Sequence, residues 1–253
     1  MIISVAQAQL FFLALTRILA MLIAVPVLGG QLVPIQVRLS LGLILTAIII
    51  PWQPLPPEAA AMGGLEYALA IGRELLIGTL AGFAASLTFG ALQIAGETMG
   101  LGSGFVSGRL FNPTLAESSS AMDQFYTTIA LLYFLVIDGH HLFLGGVQKT
   151  FTALPLMAAL PLDRMDALIT TTAQLILAGV HLALPVIAAM FLTDLTLGLL
   201  ARIAPQVQVY FLGLPLKIGV SLFALGVVFL VGLPVVGNLF RAIAPRMIAL
   251  IGP

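Results

Sequence analysis

Apolar residues run along most of this chain, and the polar ones gather at a few places between the runs. Long apolar stretches with few charges predict membrane helices, here near residues 8–29, 37–50, 67–99, 125–147, 167–200 and 211–232, with a shorter helix at the C-terminal end. A simple span needs about 20 apolar residues. The second run, LSLGLILTAIII, falls short unless it reaches back through Arg38 and Pro34. The third and fifth exceed that length and carry Arg73, Glu74, His181 and Asp194 inside them. Such a poor fit to the bilayer predicts a chain shielded in part by protein instead of lipid. The expected fold class is all-α, a hydrophobic integral membrane protein.

Composition supports that class. Sixty per cent of the 253 residues are hydrophobic and 8% are charged, against about 25% charged residues in a soluble domain. Ten basic and ten acidic residues cancel, so nucleic acid is not an expected partner. With no cysteine, disulfides and thiolate metal sites are excluded. The first apolar run has no basic residue ahead of its core and holds Arg17 inside it, so it is expected to remain as the first helix. Orientation stays open: in a six-span reading Lys149, Arg164, Arg241 and Arg246 fall on one side, and Arg38, Arg109 and Arg202 on the other.

The stretch from Gly96 to Gln124 breaks the apolar pattern. Gly96, Gly100, Gly104 and Gly108 recur every four residues, so a helix here would carry a side-chain-free stripe for close packing. A non-helical segment would instead be pliable at the same glycines. Phe111-Asn112-Pro113 ends it, and a polar run from Glu117 to Ser120 follows. Two readings stay open, a flexible extramembrane loop and a re-entrant or pore-lining segment. Gly78, Gly82, Ser86 and Gly90 precede it at the same spacing. Together they predict one packing seam from Gly78 to Gly108.

Ionisable groups at membrane depth mark ion paths, polar contacts or assembly surfaces. Arg73-Glu74, Asp194 and Lys217 are the candidates. Asp194 and Arg202 lie two turns apart before a polar tip, Ala201 to Val209, that contains Pro205, Gln206 and Gln208, and Lys217 follows Pro215 beyond it. This pattern predicts a helical hairpin, its charges either assembly contacts or snorkelling and local pairs. After Pro234, Val236, Leu239, Phe240, Ile243, Met247 and Ile251 recur at helical spacing, which suits an interfacial amphipathic helix interrupted at Pro245. Asp138-Gly139-His140-His141 is the one cluster that suggests metal binding. Adjacent histidines are expected on different helix faces, so a polar helix end is preferred and no metal is expected. His181, alone in an apolar run, is expected to be a packing histidine. GLGSGFVSG lacks the spacing of a dinucleotide or phosphate loop. No catalytic arrangement is found and no cofactor is expected.

At the hairpin the sequence becomes specific. RIAPQVQVYFLGLPLKI, Arg202 to Ile218, resembles the signature of the FliR family of flagellar type III export-gate subunits. Gly96-Glu97-Thr98-Met99-Gly100, Phe111-Asn112-Pro113, Asp138-Gly139-His140-His141 and Thr152-Ala153-Leu154-Pro155 carry the same resemblance, in the same order along nearly the whole chain. Asn112 departs from a frequent aspartate and Gln208 from a usual asparagine.

That resemblance implies an export-gate subunit through which unfolded flagellar proteins cross the inner membrane, assembled with FliP-like and FliQ-like subunits and near FlhB-like and FlhA-like components. It implies a FliP-like portion over residues 1–165 and a FliQ-like hairpin with a C-terminal amphipathic helix over 166–253. It also implies a plug loop within 105–122, with Phe105, Val106, Leu110 and Phe111 nearest the constriction. Asp194, Arg202, Pro205, Gln206 and Lys217 would then serve assembly. A secondary transporter or a channel of another class is the alternative, and it would show two matching halves, of which no convincing repeat is found.

Overall fold

A computed structural model describes residues 5–30, 33–52, 62–104, 121–159, 164–206 and 208–252, and every regular element among them is a helix. In order these are α1 (Val5–Ala24), α2 (Pro26–Gly29), α3 (Ile35–Ile49), α4 (Gly64–Gly102), α5 (Ala121–Val136), α6 (Gly139–Ala153), α7 (Met165–Ile203), α8 (Val209–Arg241) and α9 (Ile243–Ile251). Four stretches among the described residues are long and apolar enough to cross a membrane: α1, α4, α7 and Phe211–Ile251. The chain is an all-α membrane protein.

Helix boundaries follow local chemistry. Val25 is extended ahead of Pro26, which opens α2 at a position where its missing N–H costs nothing. Pro34 caps α3 from outside, so the second run cannot be lengthened through it. The apolar run 125–147, expected as one helix, is two: Asp138 adopts left-handed angles, φ 56 and ψ 34, and separates α5 from α6. Aspartate tolerates that conformation better than the β-branched residue before it. Pro234 lies inside α8, so the break expected after it falls at Ala242 instead. Pro245 then occupies the first turn of α9, where it removes no intrahelical hydrogen bond. Hydroxyls within the apolar helices are satisfied by carbonyls of the preceding turn, as in Thr46 to Gly42 at 2.7 Å and Thr193 to Ala189 at 2.8 Å.

The chain divides into two compact units, each discontinuous in sequence. The first is Met1–Thr88, Asp138–Thr172 and Phe240–Pro253; the second is Phe89–Ile137 and Ala173–Leu239. In the first, α1 buries Leu10, Leu13, Ala14, Ile18 and Met21, a helical stripe, and packs beside α3, where Gly42 admits the side chain of Leu19. Against α6 lies α9, with Gly146 making room for Met247 and Ala244. The C-terminal apolar stripe, expected at a membrane interface, is therefore core: Phe240, Ile243, Met247 and Ile251 are buried within this unit. In the second unit, Tyr126 stacks on Phe229 with centroids 5.5 Å apart, and Phe89 meets Phe134 edge-on at 5.3 Å. Gly179 lets α7 approach the carbonyl of Ala91 on α4, where any Cβ would collide.

Candidate functional site

Three features gather the polar and small residues that the sequence singles out. The first is a buried charge network. Arg17 and Glu74 are both fully buried, and Arg17 Nε lies 2.5 Å from Glu74 Oε2. Arg17 Nη1 also donates to the carbonyl of Leu154 at 2.6 Å and of Thr150 at 3.4 Å, and Nη2 to that of Pro155 at 3.4 Å. The guanidinium stands 4.6 Å from the Phe151 ring centroid. Glu74 uses its other oxygen to accept the Met157 N–H at 3.1 Å, and Arg73 donates to the Met157 carbonyl at 3.2 Å.

Met157 has φ 69, a left-handed angle that costs a residue with a Cβ about 1–2 kcal/mol. Charge-assisted hydrogen bonds on both sides of it hold the turn in that shape. Arg73-Glu74 therefore divides, Glu74 buried and paired with Arg17, Arg73 exposed and bound to a carbonyl. Arg17 is the residue that sequence reasoning missed. Its signal was present, since a lone arginine inside an apolar helix needs an acid, but no local spacing says which acid 57 residues away supplies it.

The second feature is the hairpin of α7 and α8. Lys217 Nζ lies 2.5 Å from Asp194 Oδ1 across it, with the lysine side chain 25% and the aspartate 52% exposed. A Cβ on Gly213 would come 3.1 Å from Leu197, so the two helices cross closely there. Between the two helices, Pro205 and Gln206 are exposed. Arg202 is exposed as well, and Asp194 pairs with Lys217, not with Arg202 on its own helix. His181 is exposed on α7 and not packed, contrary to expectation, because its position faces away from the stripe of Leu175, Gly179, Leu182 and Val186. Large apolar side chains flank the hairpin's ion pair and are exposed, among them Phe191, Leu192, Leu195, Leu212 and Leu216.

The third is the line of small residues on α4. A Cβ on Gly78 would lie 2.5 Å from the Arg17 carbonyl oxygen, and one on Gly82 would lie 2.7 Å from the Ala24 Cβ, so these two glycines admit α1. Ser86 is half-buried and donates to the Phe83 carbonyl at 2.9 Å. Among the described residues nothing lies within 4 Å of a Cβ built on Gly90. Gly96 admits α5 at Asp123 and Tyr126, and Gly100 is buried. Beyond Gly102 the helix stops, and Gly104 takes φ 82, an angle glycine adopts without strain. Four-residue spacing thus describes contacts with two different helices of the same chain, with an open position between them. Phe105, Val106, Gly108, Leu110 and Phe111 lie outside the described residues.

Asp138, His140 and His141 form a separate group, each offering a ligand atom within 4.8 Å of the others. The rings of His140 and His141 are 4.2 Å apart, so the adjacent histidines converge where divergence was expected. At the first turn of a helix, side chains lean back over its N-terminal end and can meet there.

Residues 8–243 match the family described as bacterial export proteins, family 1. The chain belongs to this family, the FliR family. It is 33% identical to the flagellar biosynthetic protein FliR of Caulobacter vibrioides over 227 residues, 87% of this chain and 88% of that one. It is 32% identical to its Bacillus subtilis counterpart over 249 residues, 96% and 95% of the two chains, and 33% identical to that of Escherichia coli over 220 residues, 85% and 83%. This is a family of export proteins and not of enzymes. Several FliR-like segments coincide with the features above. Thr152-Ala153-Leu154-Pro155 supplies carbonyls to Arg17, Asp138-Gly139-His140-His141 opens α6, and the segment from Arg202 to Ile218 brings Lys217 on α8 to Asp194.

Proposed function

We propose that this chain is the FliR subunit of a type III export gate in the bacterial inner membrane, through which unfolded flagellar proteins leave the cell. The observation that carries the reading is the match to flagellar FliR proteins along nearly the full length of both partners. Helix length supports it. At about 1.5 Å per residue, the 39-residue helices α4 and α7 are each roughly 58 Å long, against a hydrocarbon core of about 30 Å. Lipid covers only part of such a helix, and FliP-like and FliQ-like subunits would cover the rest, with FlhB-like and FlhA-like components nearby.

In this reading residues 1–165 form a FliP-like portion and 166–253 a FliQ-like hairpin with its C-terminal helix. Asp194, Arg202, Pro205, Gln206 and Lys217 face neighbouring subunits, and Phe105, Val106, Leu110 and Phe111 plug the closed pore by dewetting.

Two measurements on cells expressing the chain at normal levels test this. FliP-like and FliQ-like subunits should co-purify with it; a secondary transporter would be recovered active without them. The Phe105→Ala/Phe111→Ala double variant should assemble and raise the ion conductance of the membrane. A tight membrane with complex at normal yield removes the plug from the proposal and leaves the subunit assignment in place.

A further inference from the structure

Asp138, His140 and His141, at the start of α6, take no part in the buried charge network or in the proposed gate. Asp138 occupies the N-cap position of α6 yet makes no side-chain cap hydrogen bond. Capping is the ordinary reason for an aspartate there, and this one instead holds its carboxylate 3.8 Å from His141 Nδ1. Its backbone is left-handed, φ 56 and ψ 34. His140 Nδ1 is buried and has no hydrogen-bond partner among the described residues. Polar atoms of that kind are rare enough to need an explanation.

We propose that Asp138, His140 and His141 bind one divalent transition-metal ion of the zinc class, with its remaining coordination positions open to water. Two imidazoles and a carboxylate are donors suited to such ions, and they leave hard ions such as magnesium poorly served. Metal–ligand distances of about 2.0–2.2 Å require donor atoms about 3.3 Å apart. The donors already lie within 4.8 Å, and the side chains of Asp138 and His141, 71% and 70% exposed, are free to rotate the rest of the way. A helix N-terminus favours anions, so the Asp138 carboxylate supplies the charge that retains a cation there. Access is open: His141 also lines a cavity of about 440 Å³ whose walls include Ile48, Leu144, Gly145 and Gln148. With all donors in one turn of chain, the site binds and releases its ion without unfolding.

The test uses the full chain without a polyhistidine tag, extracted in detergent with its accompanying subunits, stripped with chelator and titrated with zinc(II), then with cobalt(II) for its visible absorption. One ion per chain should bind. His140→Ala and His141→Ala should each weaken binding by tenfold or more, as loss of even an outer-shell partner costs about 10–100-fold. Asp138→Asn, which keeps left-handed angles accessible, should weaken it similarly, and His181→Ala should leave it unchanged. Because the His141 side chain is exposed, His141→Ala should retain the wild-type melting temperature in chelator and decides the case alone if His140→Ala does not fold. Absence of a stoichiometric site in the wild type, or equal affinity in His141→Ala, overturns the proposal.

Discussion

Two ion pairs in this protein have the same 2.5 Å separation and opposite surroundings. Arg17–Glu74 is fully buried, while Lys217–Asp194 is partly exposed. Distance therefore says nothing of their importance. Around Arg17 three carbonyls and an aromatic ring complete the solvation that water would otherwise provide, and Glu74 has the Met157 N–H besides. Around Lys217 and Asp194 no further polar partner is found among the described residues, and the neighbouring helix faces are apolar and open. The first pair fastens α1 to α4 and to the turn after α6. The second fastens one helix of a hairpin to the other and leaves charge accessible to whatever meets that hairpin.

Breaking the contrast at its buried end has the largest expected effect. Glu74→Gln should destabilise the chain by about 3–5 kcal/mol, since it leaves a buried guanidinium without its counter-charge. Unfolding of the detergent-solubilised protein should occur at much lower temperature, and Arg17→Met/Glu74→Met should recover part of the loss. A single variant as stable as the wild type would show that water reaches Arg17.

Gly82→Leu comes next, at about 1–3 kcal/mol from overpacking, because its Cβ would already stand 2.7 Å from that of Ala24. Reduced recovery of folded chain is the readout. Lys217→Leu sharpens the comparison from the exposed end: stability should change by no more than about 1 kcal/mol, whereas export, scored by motility, should fall if the charge meets another subunit. Normal motility would confine the pair to the hairpin. The smallest effect belongs to Gly90→Ala, where no described neighbour lies within 4 Å and replacing a mid-helix glycine should stabilise the chain by about 0.5–1 kcal/mol. A loss of complex yield from this variant, with the chain itself stable, would place Gly90 against a partner subunit.

Much of the helical framework can be read from the chain. Each of the long apolar runs contains a helix, but four-residue spacing marks Gly90 as readily as Gly78 and Gly82, and only the latter two admit α1. Where the reading fails, the competing term is a local one or a distant one. Inside the run 125–147 the polar cluster Asp138-Gly139-His140-His141 marks a helix end, but hydropathy averaged over the whole run reads as one helix, and the left-handed backbone of Asp138 that makes the break is not a hydropathy signal. Stripe residues from Phe240 to Ile251 look interfacial because periodicity reports which face is apolar and not what covers it; here α6 does. His140 and His141 converge because they begin a helix instead of lying within one.

By itself, then, the sequence determines class and framework: hydropathy makes a membrane protein, spacing makes helices, and the motif order makes a member of the FliR family. Partners are decided only by the tertiary structure. Which acid neutralises Arg17, which helix enters at Gly78 and Gly96, and which base answers Asp194 are all questions about residues far apart in the chain. Hydropathy and helical spacing are summed over neighbours within a few turns, whereas a buried charge takes whichever distant group the packed helices bring to within hydrogen-bonding distance.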